Sequence, residues 1–304
     1  MILLKPLCFA VFLIVSFSVT YSQPPGKHWE GIAYNQNTNE LAVFSGAEFK
    51  DNKMLVTDSL WLFNGKWRFV DGNNITGRWA HGLVYHDNSL YTYGGLRFNA
   101  QQQEEVLNDL YRFNNSWSKL AEGPKLSLPT LLSLKGKLFL GGQSSENRKY
   151  FEVWELVGNS FQKKSSTETG DIDGLRTLVV KNSFEVVYPS DSGLTFQNVT
   201  TGIITVVKDL PKRTKFGITY NANLDSYFLL GGLDEKENLS NDLWQIKNGR
   251  SEKLIGQDFP SPRASCSLLP TAKGFILYGG TEEGGKLSNA IWYYEEGKWI
   301  HVVY

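Results

Sequence analysis

Basic side chains recur at one position of a repeating pattern in this 304-residue chain, near the start of each unit. Five of the six equivalent positions carry Lys or Arg although the formal net charge is +0. If these side chains converge, they form a site for a carboxylate, sulfate or phosphate group. Alternatively, the acidic residues of neighbouring loops pair with them as ordinary salt bridges. The positions are Lys27, Arg78, Lys125, Asp173, Arg213 and Arg263, here called the basic column.

Four residues with acid–base, ionic or thiol chemistry lie three positions after members of this column: Glu30, His81, Arg176 and Cys266. Such groups can transfer protons. The alternative is a buried neutral His81, and a Cys266 that serves as a small apolar residue. The sequence has no nucleophile elbow, P-loop, HExxH or paired CxxC motif, and its four His residues lack ligand spacing. We therefore predict no catalytic residue, no metal and no cofactor.

Six repeated units must position these residues. In each, an apolar run ends at a Gly-Gly pair or its remnant, and the pattern recurs roughly every 47 residues. The glycines are Gly94, Gly95, Gly141, Gly142, Gly231, Gly232, Gly279 and Gly280. A first aromatic column follows at Trp61, Tyr111, Trp154, Phe196, Trp244 and Trp292, and a second at Trp67, Trp117, Phe161 and Trp299. We expect both columns to lie in the core between units rather than on a binding surface.

Each unit contains four short strands, and turns such as Asn64-Gly65 and Asn248-Gly249 join the third to the fourth. A four-stranded meander cannot bury both faces alone, but six arranged radially can. The sequence therefore predicts an all-β protein, a six-bladed β-propeller of four-stranded antiparallel blades, forming one domain over residues 23–304. Blade 1 should close the ring by packing on blade 6 without strand exchange. The predicted blades are residues 27–72, 73–122, 123–169, 170–210, 211–258 and 259–304.

The glycine and aromatic columns resemble the kelch repeat, and the chain is similar in outline to galactose-oxidase-type propellers. Unit 4 departs from the pattern because it lacks both glycines. Galactose-oxidase chemistry requires a Tyr–Cys crosslink and two His ligands for copper, so the lack of His pairs with ligand spacing argues against that activity. Secreted kelch propellers that interconvert sialic acid anomers are the nearest enzymatic analogy, at the level of the fold alone.

The first residues, MILLKPLCFAVFLIVSFSVTYS, predict a signal peptide over residues 1–22 with cleavage near Ser22. An uncleaved N-terminal anchor is the alternative. Loss of Lys5 with this segment brings the formal charge from +0 to −1, so no basic field favours nucleic acid. No later segment is apolar for long enough to span a membrane. The mature chain is expected to be secreted, whether periplasmic or extracellular.

These observations favour a secreted binding or interaction module. The long loops between second and third strands share one end of the channel with the basic column, and such loops commonly carry binding residues. We expect this channel mouth to bind a protein or a carbohydrate, including an anionic one. One alternative is a carbohydrate-active enzyme that acts on an acidic sugar, similar to sialic acid mutarotases, and another is a purely structural or adhesive scaffold. The sequence does not define the ligand or the oligomeric state, and a monomer is compatible with it.

Overall fold

The computed structural model describes residues 23–51, 53–70, 74–170, 172 and 174–304. The predicted signal peptide and Asp173 lie outside the described residues. The described chain forms six four-stranded antiparallel sheets and one small hairpin, with a single short 3₁₀ turn at Glu283–Gly285. The prediction of an all-β, six-bladed propeller is therefore confirmed. No helix among the described residues is long and apolar enough to cross a membrane.

The strands follow each other in chain order within every blade, from the innermost to the outermost. Blade 1 contains β1 (Gly31–Asn35), β2 (Glu40–Phe44), β5 (Leu60–Phe63) and β6 (Trp67–Val70), with the extra hairpin β3 (Ala47–Lys50) and β4 (Lys53–Val56). Blade 2 contains β7 (Gly82–His86), β8 (Ser89–Phe98), β9 (Glu104–Asn114) and β10 (Ser116–Glu122). Blade 3 contains β11 (Leu126–Leu134), β12 (Lys137–Ser144), β13 (Tyr150–Val157) and β14 (Ser160–Glu168).

The remaining blades repeat this arrangement. Blade 4 contains β15 (Arg176–Val180), β16 (Ser183–Ser190), β17 (Gly193–Asn198) and β18 (Ile204–Val207). Blade 5 contains β19 (Gly217–Asn221), β20 (Ser226–Leu230), β21 (Leu243–Lys247) and β22 (Arg250–Leu254). Blade 6 contains β23 (Ser267–Pro270), β24 (Gly274–Tyr278), β25 (Ile291–Glu295) and β26 (Lys298–His301).

The middle strands of a blade are apolar on both faces because each blade is covered by two neighbours. Strand β5 reads LWLF and strand β24 reads GFILY, and every residue of both is buried. This explains the apolar runs that lack the alternation of a one-sided sheet. The buried apolar residues form six clusters, one at each contact between neighbouring blades. The core is therefore a ring of six equivalent layers.

The ring closes by side-chain packing between blades 1 and 6, as predicted. Each blade takes all four strands from one continuous stretch of the chain. Trp67 of blade 1 packs against Tyr278 of blade 6 with ring centroids 6.3 Å apart. Tyr304 packs on Phe63 and Trp67, while its Oη donates to the carbonyl of Asn289 at 2.8 Å. Aromatic and aliphatic packing therefore holds blades 1 and 6 together, and Gln36 Nε2 also donates to the Pro270 carbonyl at 3.0 Å across this contact.

The Gly-Gly pairs of blades 2, 5 and 6 form a left-handed bulge, which interrupts the second strand in blade 2 and directly follows it in blades 5 and 6. At Gly95, φ is +89° and an added Cβ would lie 2.6 Å from the carbonyl oxygen of Trp79. At Gly232, φ is +92° and the same distance separates an added Cβ from the carbonyl oxygen of Thr214. Only glycine fits such a conformation at such a close approach. The pairs are therefore required by the backbone rather than by a ligand.

Two assignments within the repeats are corrected by the strand register. Gly141 and Gly142 lie inside β12, where they pair with Val153 and Glu152 in ordinary extended backbone. In blade 4, Phe196 pairs with Val187 and packs towards blade 5, whereas Trp244 of the next blade packs back towards blade 4. Phe196 is therefore one residue away from the aromatic column, because a shift of one residue moves a side chain to the other face of a strand.

Candidate functional site

Three arginines of the basic column are buried and paired with carboxylates. Each is at most 9% exposed, and each carboxylate belongs to the same blade as its arginine. Asp109 lies within the third strand of its blade, Asp242 directly precedes the third strand, and Glu282 lies in the loop before it. The pairs, with their shortest N–O distances, are Arg78–Asp109 (2.7 Å), Arg213–Asp242 (2.6 Å) and Arg263–Glu282 (2.9 Å).

The same guanidinium groups bind the left-handed bulge. Nη1 donates to the carbonyl of the first glycine, at 3.0 Å for Gly94, 3.1 Å for Gly231 and 2.8 Å for Gly279. The bulge turns this carbonyl out of the strand ladder, and a buried carbonyl without a partner costs about 1–3 kcal/mol. In blade 1, Lys27 donates in the same way to the carbonyl of Ser45, whose φ is +59°. The basic side chain thus completes the bulge, which explains why the two features occur together in the sequence.

The other members of the column differ from the arginines. Lys27 is 5% exposed, and its Nζ also donates to Thr57 Oγ1 and Ser59 Oγ at 2.5 and 2.6 Å. Burial lowers the pKa of Lys27 to about 8, against the opposing charges of nearby acids. Lys125 is exposed and makes no ion pair with a described residue. Anion binding by the column stays a prediction, and the guanidinium groups of Arg78, Arg213 and Arg263 already have partners.

A second ring of residues lies two or three positions after the members of the basic column, where the backbone enters the innermost strand of each blade. Its members all have left-handed backbone, with φ between +49° and +55°, although none is glycine. Such a conformation is uncommon for these residue types and often marks a functional position. Four of the five side chains are exposed. We call these residues the mouth ring: Trp29, Ala80, Leu128, Lys215 and Ser265.

Backbone hydrogen bonds around the channel fix this left-handed conformation. The Ala80 amide donates to the carbonyl of Trp29 at 2.9 Å, from blade 2 to blade 1. The Ser265 amide donates to the carbonyl of Lys215 at 2.6 Å, from blade 6 to blade 5. Each of these hydrogen bonds connects two neighbouring blades at the mouth. The side chains of the mouth ring are therefore held on rigid backbone.

Charged groups on different blades act on each other at this end of the channel. Lys215 belongs to blade 5 and His28 to blade 1, with blade 6 between them. Burial and then the positive charge of Lys215 lower the pKa of His28. Likewise, burial raises the pKa of the Cys266 thiol to about 11, and the nearby Arg263 and, more weakly, Arg176 oppose this shift. Arg176 of blade 4 therefore acts on a residue of blade 6 across the same end of the channel.

His81 and Cys266 lie in the packing between blades, as the structural alternative predicted. The His81 ring packs edge-on against Phe44 with centroids 5.3 Å apart, and neither ring nitrogen has a partner among the described residues. Burial lowers the pKa of His81 well below its usual value, so the ring is neutral near pH 7. With its raised pKa, the Cys266 thiol is protonated there. Neither residue is suited to act as a cation or a thiolate nucleophile.

Glu30 and Arg176 are the other two residues predicted at this level, and burial shifts the pKa of both. Burial raises the pKa of Glu30 to about 7, although Lys27 opposes the shift. Burial lowers the pKa of Arg176, whose guanidinium donates only a 3.4 Å contact to the Gly174 carbonyl. Arg176 makes no ion pair with any residue that the structure describes. A largely desolvated cation of this kind favours an anionic partner.

Aromatic and apolar surfaces flank these groups. Trp29 is 50% and Phe49 58% exposed, and the His28 ring lies between them at 5.3 and 5.9 Å. We call these three residues the rim patch. Beside it, at blades 2 and 3, a recess of about 220 Å³ is lined by residues that include Ala80 and Leu128 of the mouth ring. The mouth therefore combines stacking surfaces, a small recess and cations, such as Arg176, that make no ion pair with a described residue.

The Glu30 side chain gives the mouth a predicted pH response. Its folded-state pKa of about 7 lies above the value of 4.5 for a free glutamate, so the folded state binds this proton more tightly than the unfolded state does. The stabilisation that the proton provides is complete below about pH 4.5 and is lost as pH rises through 7. We expect the melting temperature to fall between pH 5 and 8, and Glu30→Gln to reduce that slope. Parallel curves for the two proteins would contradict the raised pKa.

The sequence did not reveal the mouth ring. Its members share no chemical property, since they include an indole, a methyl group, an ammonium group and a hydroxyl group. They share only a backbone conformation, which no residue type here encodes. The basic column is visible in the sequence because a single physical task, binding the bulge carbonyl, selects Lys or Arg at four of its positions: Lys27, Arg78, Arg213 and Arg263.

The fold and this arrangement define a six-bladed β-propeller with a candidate ligand site at one end of its channel. No protein-family profile matches the chain, and no curated protein matches it. Many solved structures do match, including one titled "Structure of YjhT". That structure superposes with a TM-score of 0.66 over 93% of this chain and 99% of its own length, at 15% sequence identity. At this identity the likeness establishes the fold alone.

Proposed function

We propose that the protein is an exported binding module whose channel mouth holds an acidic carbohydrate. Export rests on the predicted signal peptide. The observation that carries the proposal is Arg176, a half-buried guanidinium without a carboxylate partner among the described residues. A carboxylate or sulfate on a ligand would supply that partner through charge-assisted hydrogen bonds.

The rim patch supports a carbohydrate as the body of the ligand. A half-exposed indole offers an apolar face to the C–H side of a sugar ring, and Trp29 is held by a backbone bond to the next blade. The exposed ammonium of Lys215 lies on the same ring of residues and can contact polar substituents. The recess beside Ala80 and Leu128 suits a small apolar substituent. Together these groups fit a ring-shaped anion better than an extended neutral chain.

Binding of uronic acids, sialic acids and sulfated glycans would test the proposal. We expect Arg176→Gln to weaken binding by about tenfold to a hundredfold, the effect of losing a charged hydrogen bond worth about 1.5–3 kcal/mol. The melting temperature should stay the same or rise, because Arg176 makes no ion pair with a described residue. Binding to the wild type should also weaken with salt, since exposed charges are screened within about 8–10 Å.

Arg250→Gln is the matched control, because Arg250 is exposed on the turn between β21 and β22, at the opposite end of the channel. It should leave glycan binding unchanged. If no acidic glycan binds, or if Arg176→Gln and Arg250→Gln bind equally well, the proposal is wrong.

A second candidate function is catalysis on the same ligand class, and Glu30 is the observation that favours it. A carboxyl group with a pKa near 7 is suited to proton transfer at neutral pH. Exchange of sialic acid anomers is a reaction that such a group could assist, and NMR can follow it directly. Glu30→Gln should then lower the rate by about a hundredfold or more. A wild-type rate no faster than the uncatalysed exchange would exclude this candidate and leave the binding module.

A further inference from the structure

A cleft of about 510 Å³ lies between blades 4 and 5, at the end of the molecule opposite the mouth. Turns of both blades line it, including Lys181–Ser183 and the Asn248–Gly249 turn. Its size is within the range of small-molecule sites, about 300–1,000 Å³. It is separate from the mouth and from the residues of the proposed function.

The cleft lies where the repeat pattern loses an aromatic side chain. In blade 6, Trp299 pairs with Tyr294 and packs on Phe275 with centroids 5.6 Å apart, at the contact with blade 5. In blade 5 the equivalent residue is Ser251, which pairs with Ile246. Blades 1, 2 and 3 also have an aromatic residue there, at Trp67, Trp117 and Phe161. A hydroxymethyl group cannot fill the space of an indole, so a void is left beside blade 4.

A second replacement makes this void polar. Phe228 of β20 packs in the contact between blades 5 and 6. Leu230 and Val187 occupy matching places in blades 5 and 4, and Phe228 and Glu185 each lie two residues before them. Glu185 is therefore the blade 4 equivalent of Phe228, and it lines the cleft. One carboxylate oxygen of Glu185 accepts a 2.5 Å hydrogen bond from Tyr227 Oη. The other accepts none from the described residues, and the buried Ser251 Oγ likewise has no partner among them.

Aromatic side chains and the Lys181–Asp225 ion pair form the rest of the cleft wall. Tyr227 packs against Phe196 and Tyr220 with ring centroids 4.8 and 5.0 Å apart. The exposed Lys181 is neutralised by Asp225, at 3.1 Å, and that carboxylate also accepts a 2.5 Å bond from Tyr220 Oη. The cleft therefore keeps one Glu185 carboxylate oxygen as an acceptor without a partner among the described residues. Ser251 itself does not line the cleft, but its cross-strand partner Ile246 does, and its hydroxyl can donate or accept. Aromatic faces beside a carboxylate favour an organic cation.

We propose that this cleft binds an organic ammonium ion with a ring-sized apolar body. The body would occupy the space of the missing aromatic side chain, between Ile246 and the aromatic wall. The ammonium group would donate to the free oxygen of Glu185. An apolar void that a side chain has vacated can bind a ring of matching size, and the carboxylate adds selectivity for charge.

Phenethylamine, 2-phenylethanol and phenylacetate are probes of one size that differ in charge. Titration calorimetry on the full chain should show phenethylamine binding at least tenfold more tightly than 2-phenylethanol, with phenylacetate the weakest. Glu185→Gln should abolish the preference for the amine while 2-phenylethanol still binds. Ser251→Trp should abolish binding of all three because the indole fills the void, and it should raise the melting temperature.

The proposal is overturned if phenethylamine shows no saturable binding, or if its affinity does not exceed that of 2-phenylethanol. It is also overturned if binding survives in a folded Ser251→Trp protein. If Ser251→Trp does not fold, the test rests on Glu185→Gln. A Glu185→Gln protein that still prefers phenethylamine to 2-phenylethanol would exclude the proposed contact. Arg176→Gln, which tests the mouth, should leave phenethylamine binding unchanged, so the two sites are tested separately.

Discussion

Replacement of Arg78 by alanine is expected to lower the free energy of unfolding by about 3–5 kcal/mol, the usual cost of breaking a buried ion pair from one side. Arg78 is 1% exposed and binds Asp109, the Gly94 carbonyl and, more weakly, the Thr76 carbonyl. Its guanidinium also lies 5.5 Å from the centre of the Tyr111 ring. The substitution would leave a carboxylate and a carbonyl without their main donor inside blade 2. Urea unfolding measures the loss.

Two variants make this prediction specific. Lys125→Ala removes a basic residue of the same column that is exposed and makes no ion pair with a described residue, so it should change stability by less than about 0.5 kcal/mol. Asp109→Ala combined with Arg78→Ala should cost less than the sum of the single changes, because the pair is lost together. If Arg78→Ala costs under about 1 kcal/mol, the guanidinium is not needed by the bulge and is free to bind a ligand.

Trp117→Ala should also destabilise the protein by about 3–5 kcal/mol, the cost of a large cavity in the core. Trp117 is 3% exposed and packs on Phe44 of blade 1 and Phe113 of its own blade, with centroids 4.8 and 5.3 Å apart. The substitution therefore weakens the contact between two blades. Chemical unfolding monitored by the remaining tryptophans would measure it.

Phe69→Ala is the matched control, since Phe69 is 49% exposed on the outermost strand of blade 1. It should cost less than about 1 kcal/mol. If the two substitutions have equal effects, Trp117 does not fill the contact between blades 1 and 2.

The fold could be predicted because each blade places glycine and aromatic residues under the same physical demands. Gly95 and Gly232 are fixed by positive φ and close backbone approach, and Trp117 is fixed by the space between blades. The predicted aromatic column is off by one residue at Phe196. Gly141 and Gly142 lie in ordinary extended backbone inside a strand and do not form the left-handed bulge of the other pairs. The strand register is set by pairing across strands, and the spacing along one strand does not reveal it.

The candidate site could be predicted only in part. The basic column is visible as a pattern, but the partners of its arginines come from different places: Asp109 at the third strand and Glu282 in a loop. The sequence aligns Glu30 with Arg176, whereas the strand register places Arg176 level with Gly31, one residue further on. The ionisation of both depends on burial that the sequence alone does not report. Ser251 is the exception, because a gap in the second aromatic column already marks the position of the cleft between blades 4 and 5.

The ring closes without strand exchange, and this limits how the number of blades can change in evolution. A linear repeat array tolerates the gain or loss of a unit, because only its two ends must be protected from solvent. In a closed ring every unit covers two others, so deletion of one would expose aromatic faces such as those of Phe44 and Phe275. The remaining five blades would then need a different angle between neighbours at every contact to close the ring. Insertions should therefore accumulate in the rim loops, as in the β3–β4 hairpin, while the number of blades stays constant.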